Sequence, residues 1–165
     1  MIATIGTDSG PLWISGNADA IEGISWQSVE GTHHKGELNW ILAALDLYLQ
    51  GRAASFPGNL VFGNNRTLWA REYRNVEPRS IAQKILCAIE KIPYSATMTY
   101  GDVAASVKNR NWARAVGAVC RANPLPLLVP CHRVVGKTSL GGYSGGLHHK
   151  RFLLRLEGNL KGNFS

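Results

Sequence analysis

Apolar and polar residues alternate with a period of two along the first third of the chain. Met1–Gly6, Leu12–Ser15 and Ala20–Trp26 are short runs rich in β-branched and aromatic residues, and each predicts a strand. Asp8-Ser9-Gly10-Pro11 and Ser15-Gly16-Asn17 carry turn chemistry between them, so the three runs predict a small antiparallel sheet. The period then changes. Leu38, Ile41, Leu42, Leu45 and Leu49 recur at helical spacing, which predicts an amphipathic helix over Glu37–Leu49 ended by Gly51. The stretch Arg52–Val76 is ambiguous, with one strand expected at Leu60–Phe62.

The remainder reads as helices around one loop of unusual composition. Ser80–Ile92 sets Ile81, Ile85, Cys87, Ala88 and Ile89 largely on one side, and Pro93 closes it. Tyr100–Val107 predicts a short helix and Lys108-Asn109-Arg110-Asn111 a polar turn. A second helix, Trp112–Ala122, follows, with Asn111 as its N-cap. Two short helices across a tight turn make a helix-turn-helix candidate, although helical hairpins are also common in proteins that never touch DNA. Ala113, Ala115, Gly117 and Ala118 leave the second helix nearly flat, between Arg114 and Arg121. A flat helix suits close approach to a nucleic-acid backbone or minor groove, and it equally permits tight helix packing.

Charge sharpens this division. Residues 1–92 hold 8 Lys/Arg against 9 Asp/Glu, whereas residues 93–165 hold 10 against 2. The basic half points to a polyanionic partner, because each phosphate contact releases counterions. With the proline, the shift predicts a domain boundary near Asn75–Pro78, giving domains over 1–76 and 77–165 of a mixed α/β (α+β) protein. No apolar run approaches the ~20 residues of a membrane span. Met1-Ile2-Ala3-Thr4 shows no basic stretch leading into an apolar segment, so an intracellular, cytoplasmic protein is expected, nucleoid-associated or nuclear according to its host. Three cysteines, Cys87, Cys120 and Cys131, are too few and too scattered for a disulfide framework or grouped zinc ligands. His33 and His34 with Cys87 do not complete a zinc set, and no metal is expected.

Candidate chemistry lies after the flat helix. In Asn123-Pro124-Leu125-Pro126-Leu127-Leu128-Val129-Pro130-Cys131-His132-Arg133-Val134-Val135-Gly136 three prolines brace an apolar run, and a cysteine follows beside a histidine and an arginine. The thiolate is the reactive form of cysteine, and a nearby base or cation raises its population. A Cys-His dipeptide alone decides little, since adjacent side chains often point apart.

The wider string decides more. Pro130-Cys131-His132-Arg133-Val134 resembles the active-site signature of the O6-alkylguanine-DNA alkyltransferases. Similar in order are Thr99-Tyr100-Gly101-Asp102-Val103-Ala104, Arg114-Ala115-Val116-Gly117, Asn123-Pro124, Gly142-Tyr143-Ser144-Gly145-Gly146, Lys150, Leu153-Leu154 and Glu157-Gly158. The resemblance is dense from about residue 92 to 158 and thinner through Asp8–Leu12 and Leu45–Gly51.

The resemblance implies a ribonuclease-H-like N-terminal β-sheet domain with a helix. It also implies a mainly helical, winged helix-turn-helix-like C-terminal domain that holds the active site. Cys131 is then the nucleophile and alkyl acceptor, His132 takes its proton through a water, and Glu157 orients the imidazole. Asn123 ties the turn between recognition helix and active-site loop. Arg114 fills the space left by a flipped nucleotide, with Ala113, Ala115, Gly117 and Arg121 along the DNA. Tyr100 presses on the neighbouring phosphate and donates a proton to the departing guanine. The backbone at Cys131 and Val134, with Tyr143, Ser144 and Lys150, contacts the guanine edge, and Cys120 sits on the pocket wall. The implied partner is double-stranded DNA containing O6-alkylguanine, met by a monomer without a cofactor. Two departures stand out: Ile81-Ala82-Gln83-Lys84-Ile85-Leu86 replaces a more aromatic helix, and Ser95 stands where glycine is common. Rival classes are a lesion-sensing relative, against which Cys131 argues because those proteins lack the cysteine, and a cysteine hydrolase, which has no use for the basic half.

Overall fold

A computed structural model describes residues 1–33, 35–63, 66–71 and 77–159. The chain divides into two compact units, Met1–Val76 and Glu77–Ser165. Asn75 and Val76 of the expected boundary, and His34 of the histidine pair, lie outside the described residues.

The first unit is an antiparallel sheet with one helix. β1 (Ile2–Ile5), β2 (Leu12–Gly16), β3 (Ala20–Ser25), β4 (Asn59–Gly63) and β5 (Arg66–Ala70) pair in the order β1-β2-β3-β5-β4. The alternation read from the sequence has a direct counterpart in β2: Leu12 and Ile14 are fully buried and Trp13 and Ser15 only half so. β4 covers the expected Leu60–Phe62 with one more residue at each end. Its partner β5 was not legible, because Arg66-Thr67-Leu68-Trp69-Ala70 shows too few alternations to stand out. Its pairing with β4, from Asn59 opposite Ala70 to Gly63 opposite Arg66, supplies what local pattern lacked.

α1 (Lys35–Leu49) starts two residues before the expected Glu37 and buries Leu38, Ile41, Leu45 and Tyr48. Leu42 and Leu49 are only half-buried, so the apolar stripe runs through Tyr48 instead. The helix ends as glycine dictates. Gly51, at φ +70°, sends its amide to the Tyr48 carbonyl at 2.9 Å, and Arg52 bonds Leu47 at 2.8 Å, the two reverse bonds of a Schellman cap.

The second unit is mainly helical. α2 (Ile81–Glu90) begins at a capping box in which Ser80 and Gln83 satisfy each other's amides. It stops two residues short of the expected Ile92. Its buried side is Ile85, Leu86 and Ile89, while Ile81 is 46% exposed and Cys87 half-buried. β6 (Met98–Thr99) leads into α3 (Tyr100–Ser106), whose capping box pairs Thr99 with Asp102. A 3₁₀ turn at Arg110–Trp112 precedes α4 (Ala113–Arg121). The cap expected at Asn111 belongs to Asn109 instead. Its side chain accepts the Asn111 amide at 3.1 Å, because the 3₁₀ turn inserts itself before the α-helix.

A second 3₁₀ turn, Cys131–Arg133, runs into β7 (Val134–Val135), and α5 (Leu147–Leu156) closes the described chain. α5 escaped the sequence reading because its inward face is not a plain apolar stripe: His149 and Lys150 are buried beside Leu153 and Leu154. β6 and β7 form a two-residue parallel pair, with Met98 opposite Val134 and Thr99 opposite Val135. This pair carries the start of α3 to the end of the cysteine turn. Among the described residues, no helix is long and apolar enough to cross a membrane.

Candidate active site

The cysteine owes its placement to the proline-rich loop. Pro130, at φ −78° and ψ 65°, is the centre of an inverse γ-turn that bonds the Cys131 amide to the Val129 carbonyl at 2.8 Å. Its ring holds φ near that value, so the turn is largely prepaid. Leu125, Leu127, Leu128 and Val129 anchor the loop in the core, each at most 2% exposed. Asn123 stitches it internally: its amide nitrogen donates to the Val129 carbonyl at 2.8 Å, and its oxygen accepts the Leu125 amide at 3.0 Å. That same nitrogen also donates to the Cys131 sulfur at 3.2 Å. A donor aimed at sulfur favours the thiolate, against the burial that pushes the Cys131 thiol up from its ordinary value.

Behind the cysteine is a closed set of charges. His132 is fully buried, and its Nε2 lies 2.8 Å from Glu157 Oε1. Arg133, 5% exposed, grips the same carboxylate with two nitrogens: Nε reaches Oε2 at 2.9 Å and Nη2 reaches Oε1 at 2.8 Å. Its Nη1 donates to the Ile92 carbonyl at 2.6 Å, and the guanidinium lies 5.8 Å from the Tyr94 ring centroid. A carboxylate oxygen only accepts, so Nε2 of His132 carries the hydrogen and Nδ1 is the ring's acceptor. Burial pushes the imidazole below its ordinary value, the Glu157 hydrogen bond and charge resist, and the Arg133 and Lys150 charges add to the fall.

Cys131 opens onto a cleft of about 820 Å³. Tyr100 and Cys120 form part of its wall, with Ala113, Gly117 and Ala118 of the flat face of α4. Arg114 and Arg121 stand exposed at its edge, and Gly142, Tyr143 and Ser144 complete it. Gly141 matters because of Tyr100: at φ +69°, a Cβ there would fall 2.6 Å from the phenol oxygen. The Gly142 backbone bonds that oxygen, and burial pushes the phenol above its usual range. The Cys120 thiol is pushed up to about 12, first by burial and then by the neighbouring Cys131.

Three further residues named from the sequence do not line this cleft. Ala115 is half-buried off the cleft wall, because it sits on the side of α4 away from Ala113, Gly117 and Ala118. Val134 is fully buried in the β6–β7 pair. Lys150 is fully buried too and does not present its ammonium to the cleft. Its Nζ donates to the Val134 carbonyl at 2.6 Å and to the Gly142 carbonyl at 3.2 Å, tying β7 to the segment that lines the cleft. Burial lowers Lys150 to about 8, opposed by the charges of Cys131 and Cys120.

Sequence reasoning misses the contacts of two residues. It offers Arg133 only as a cation beside the cysteine and as part of the motif, yet a cation between Val129 and Val135 in so apolar a run needs a buried anion, and that is the available signal. Ser95 adopts φ +60°, and its hydroxyl donates to the Glu157 carbonyl, a pairing across 62 positions that no local pattern announces. Among the described residues, no group of His, Cys, Asp and Glu is arranged to hold a metal ion.

The chain matches the family described as 6-O-methylguanine DNA methyltransferase, DNA binding domain, over residues 80–159. A methylated-DNA–protein-cysteine methyltransferase of Methanocaldococcus vulcanius is 47% identical over 78 residues. That match covers 47% of this chain and 47% of the relative, so it spans about half of that protein's length. The enzyme of the same name from Mycobacterium leprae is 32% identical over 158 residues, covering 90% of this chain and 86% of that one. Among solved structures, Mycobacterium tuberculosis OGT in complex with DNA superimposes with a TM-score of 0.70 at 28% identity, covering 95% of this chain and 92% of the other. A likeness that runs through both units in sequence and in fold is a family relationship: the chain belongs to the methylated-DNA–protein-cysteine methyltransferases.

Proposed function

We propose that the protein repairs DNA by direct reversal, moving the alkyl group of an O6-alkylguanine in double-stranded DNA onto its own Cys131. The observation that carries this reading is the position of the Cys131 sulfur. It sits on the wall of an open cleft, held by Asn123, with the flat face of α4 and Arg114 in front and His132–Glu157 behind. The solved complex of a family member with DNA supports the partner, and the basic second half supplies the charge to hold it.

The reaction follows from these placements. O6 of guanine lies within the stacked duplex, so the nucleotide is flipped out at a cost of a few kcal/mol, less for a damaged base that pairs poorly. α3, the 3₁₀ turn and α4 act as a helix-turn-helix within a winged domain, and Arg114 fills the vacated space. The Cys131 proton passes through a water to His132, whose imidazolium Glu157 steadies. Sulfur attacks the alkyl carbon in line as the carbon–O6 bond breaks. The electron pair leaves with the purine, which takes a proton from Tyr100. The product is a thioether that water does not cleave, so each molecule acts once. The first unit is a ribonuclease-H-like domain in this reading, and the protein works as a monomer on cytoplasmic or nuclear DNA.

Intact mass after incubation with a duplex carrying one O6-methylguanine tests the proposal, with Cys131→Ala as control. The expected result is one methyl per chain, on Cys131 alone. Tight binding without a mass change would move the protein to lesion sensing, and turnover beyond one equivalent would overturn the single-use mechanism.

A further inference from the structure

The charge arrangement behind Cys131 contains one group that the transfer reaction leaves unassigned. Glu157 is a poor match for a simple histidine orienter, because most of its hydrogen-bonding capacity goes to Arg133. Arg133 Nε and Nη2 cover both carboxylate oxygens at 2.9 and 2.8 Å, with a third approach of 3.2 Å, and His132 shares Oε1. The arginine cannot swing away. Its third nitrogen is bonded to the Ile92 carbonyl, its face lies near Tyr94, and the Ser95 hydroxyl holds the Glu157 backbone from the same loop.

We infer that Arg133 is a positioning residue that offsets the charge of Glu157, so that the carboxylate fixes the tautomer of His132 without holding the resting ring as an imidazolium. The inference rests on the reading of Cys131 as alkyl acceptor and His132 as its base. A buried carboxylate facing an imidazole alone favours the charged ring, whereas an arginine bonded to both of its oxygens offsets much of that pull. The other charged groups near His132 act in the same direction or are weak. Lys150 of α5 is a cation, which disfavours a second one, and the Cys131 thiol is neutral at rest. The consequence is a base with an available lone pair at neutral pH, facing a thiol that stays protonated until a substrate carbon arrives. A resting imidazolium would have no capacity to take the thiol proton.

The test is the titration of the His132 ring, followed by NMR on the intact, DNA-free protein and assigned with a His132→Gln variant. Arg133→Gln is expected to raise the midpoint by about one unit or more, a tenfold change in the ring's affinity for its proton. Glu157→Gln is expected to lower it, and Arg133→Gln/Glu157→Gln to return it close to the wild-type value. The acid limb of the transfer rate moves with the ring. A merely structural arginine predicts no such return in the double variant. An unmoved midpoint in Arg133→Gln, or a double variant that keeps the single variant's shift, overturns the inference. Should Arg133→Gln fail to fold, Arg133→Lys and Glu157→Gln decide. The lysine keeps the charge without the fork and gives a smaller upward shift, Glu157→Gln a downward one, and no shift in either overturns it. Transfer from a lesion duplex is measured on the wild type alongside: its failure sinks the functional reading, while the titrations still decide what Arg133 does to His132.

Discussion

The side-chain amide of Asn123 donates simultaneously to the Val129 carbonyl at 2.8 Å and to the Cys131 sulfur at 3.2 Å. One nitrogen thus couples the shape of the proline-rich loop to the state of the thiol. Methylation of the sulfur would act on the same contact, in a spot where Cys131 is 3% exposed.

Replacing Asn123 by alanine therefore has two separable effects. It leaves the buried Val129 carbonyl and Leu125 amide without their side-chain partner, at a cost of roughly 2–4 kcal/mol in unfolding free energy. It also removes the donor that favours thiolate, so transfer slows about tenfold or more even in the folded fraction. Urea melts and single-turnover rates measure the two. Loss of stability with an unchanged rate would mean that the sulfur contact is incidental.

Ser95 yields the next prediction, because its backbone and its hydroxyl pull in opposite directions. At φ +60° a side chain is strained, and glycine would relieve that; yet the hydroxyl bonds the Glu157 carbonyl. Ser95→Gly trades one effect for the other and is expected within about 0.5 kcal/mol of wild type. Ser95→Ala keeps the strain, loses the bond and is expected to cost about 1–2 kcal/mol. If the alanine variant is as stable as the wild type, the hydrogen bond is not what holds this turn; if it is more stable than the glycine variant, the backbone strain is not what glycine relieves.

These two sites mark where sequence reading stops. Helix α1 and strands β1 to β3 follow from period and turn residues because their burial is decided by neighbours a few positions away. α5 does not, since its inward face carries His149 and Lys150, and Lys150 is buried against the carbonyls of Val134 and Gly142 on other segments. Cys131, His132, Asn123 and Glu157 were legible through their resemblance to a family pattern, but the pattern says nothing of depth. It therefore put Lys150 in the cleft, where a long cation is easily imagined, whereas the ammonium is spent on backbone behind the wall. Arg133 reads only as a cation beside the cysteine for the converse reason: its partner is Glu157, 24 residues on, and its sequence neighbours only fill the motif.

Arg114 distinguishes holding DNA from doing chemistry. It is exposed at the edge of the cleft, on the helix whose small residues permit close approach. Arg114→Ala is expected to slow transfer from a lesion duplex about 100-fold, while transfer from the free O6-alkylguanine base stays within twofold, because no stack must then be opened. Its binding to duplex should keep nearly the wild-type salt dependence if the side chain enters the stack, and lose about one unit of slope if it serves a phosphate. Parallel loss on both substrates would place Arg114 in the fold or the chemistry instead.

Lys150 makes a prediction about pH whose sign is set by burial. Its ammonium titrates at about 8 in the folded protein against an ordinary 10.5, so the folded state holds that proton less tightly than the unfolded chain. Below about 8 both states are charged, and the folded protein bears the full cost of the buried cation. Between about 8 and 10.5 the unfolded chain binds more protons, so this residue's contribution to stability rises with pH, by at most about 3 kcal/mol over the window. Other groups titrate there too, and the raised Cys120 and Cys131 thiols act in the opposite sense, so the informative quantity is a difference between proteins. Lys150→Met fills the same space without the charge. Whatever it costs by leaving the Val134 and Gly142 carbonyls unbonded, it should lack the rise, and the gap in unfolding free energy between wild type and variant should shift toward the wild type from pH 7 to pH 10. Urea denaturation of both proteins at the two pH values measures that shift. A gap that stays constant would mean the ammonium is far better solvated than its burial indicates.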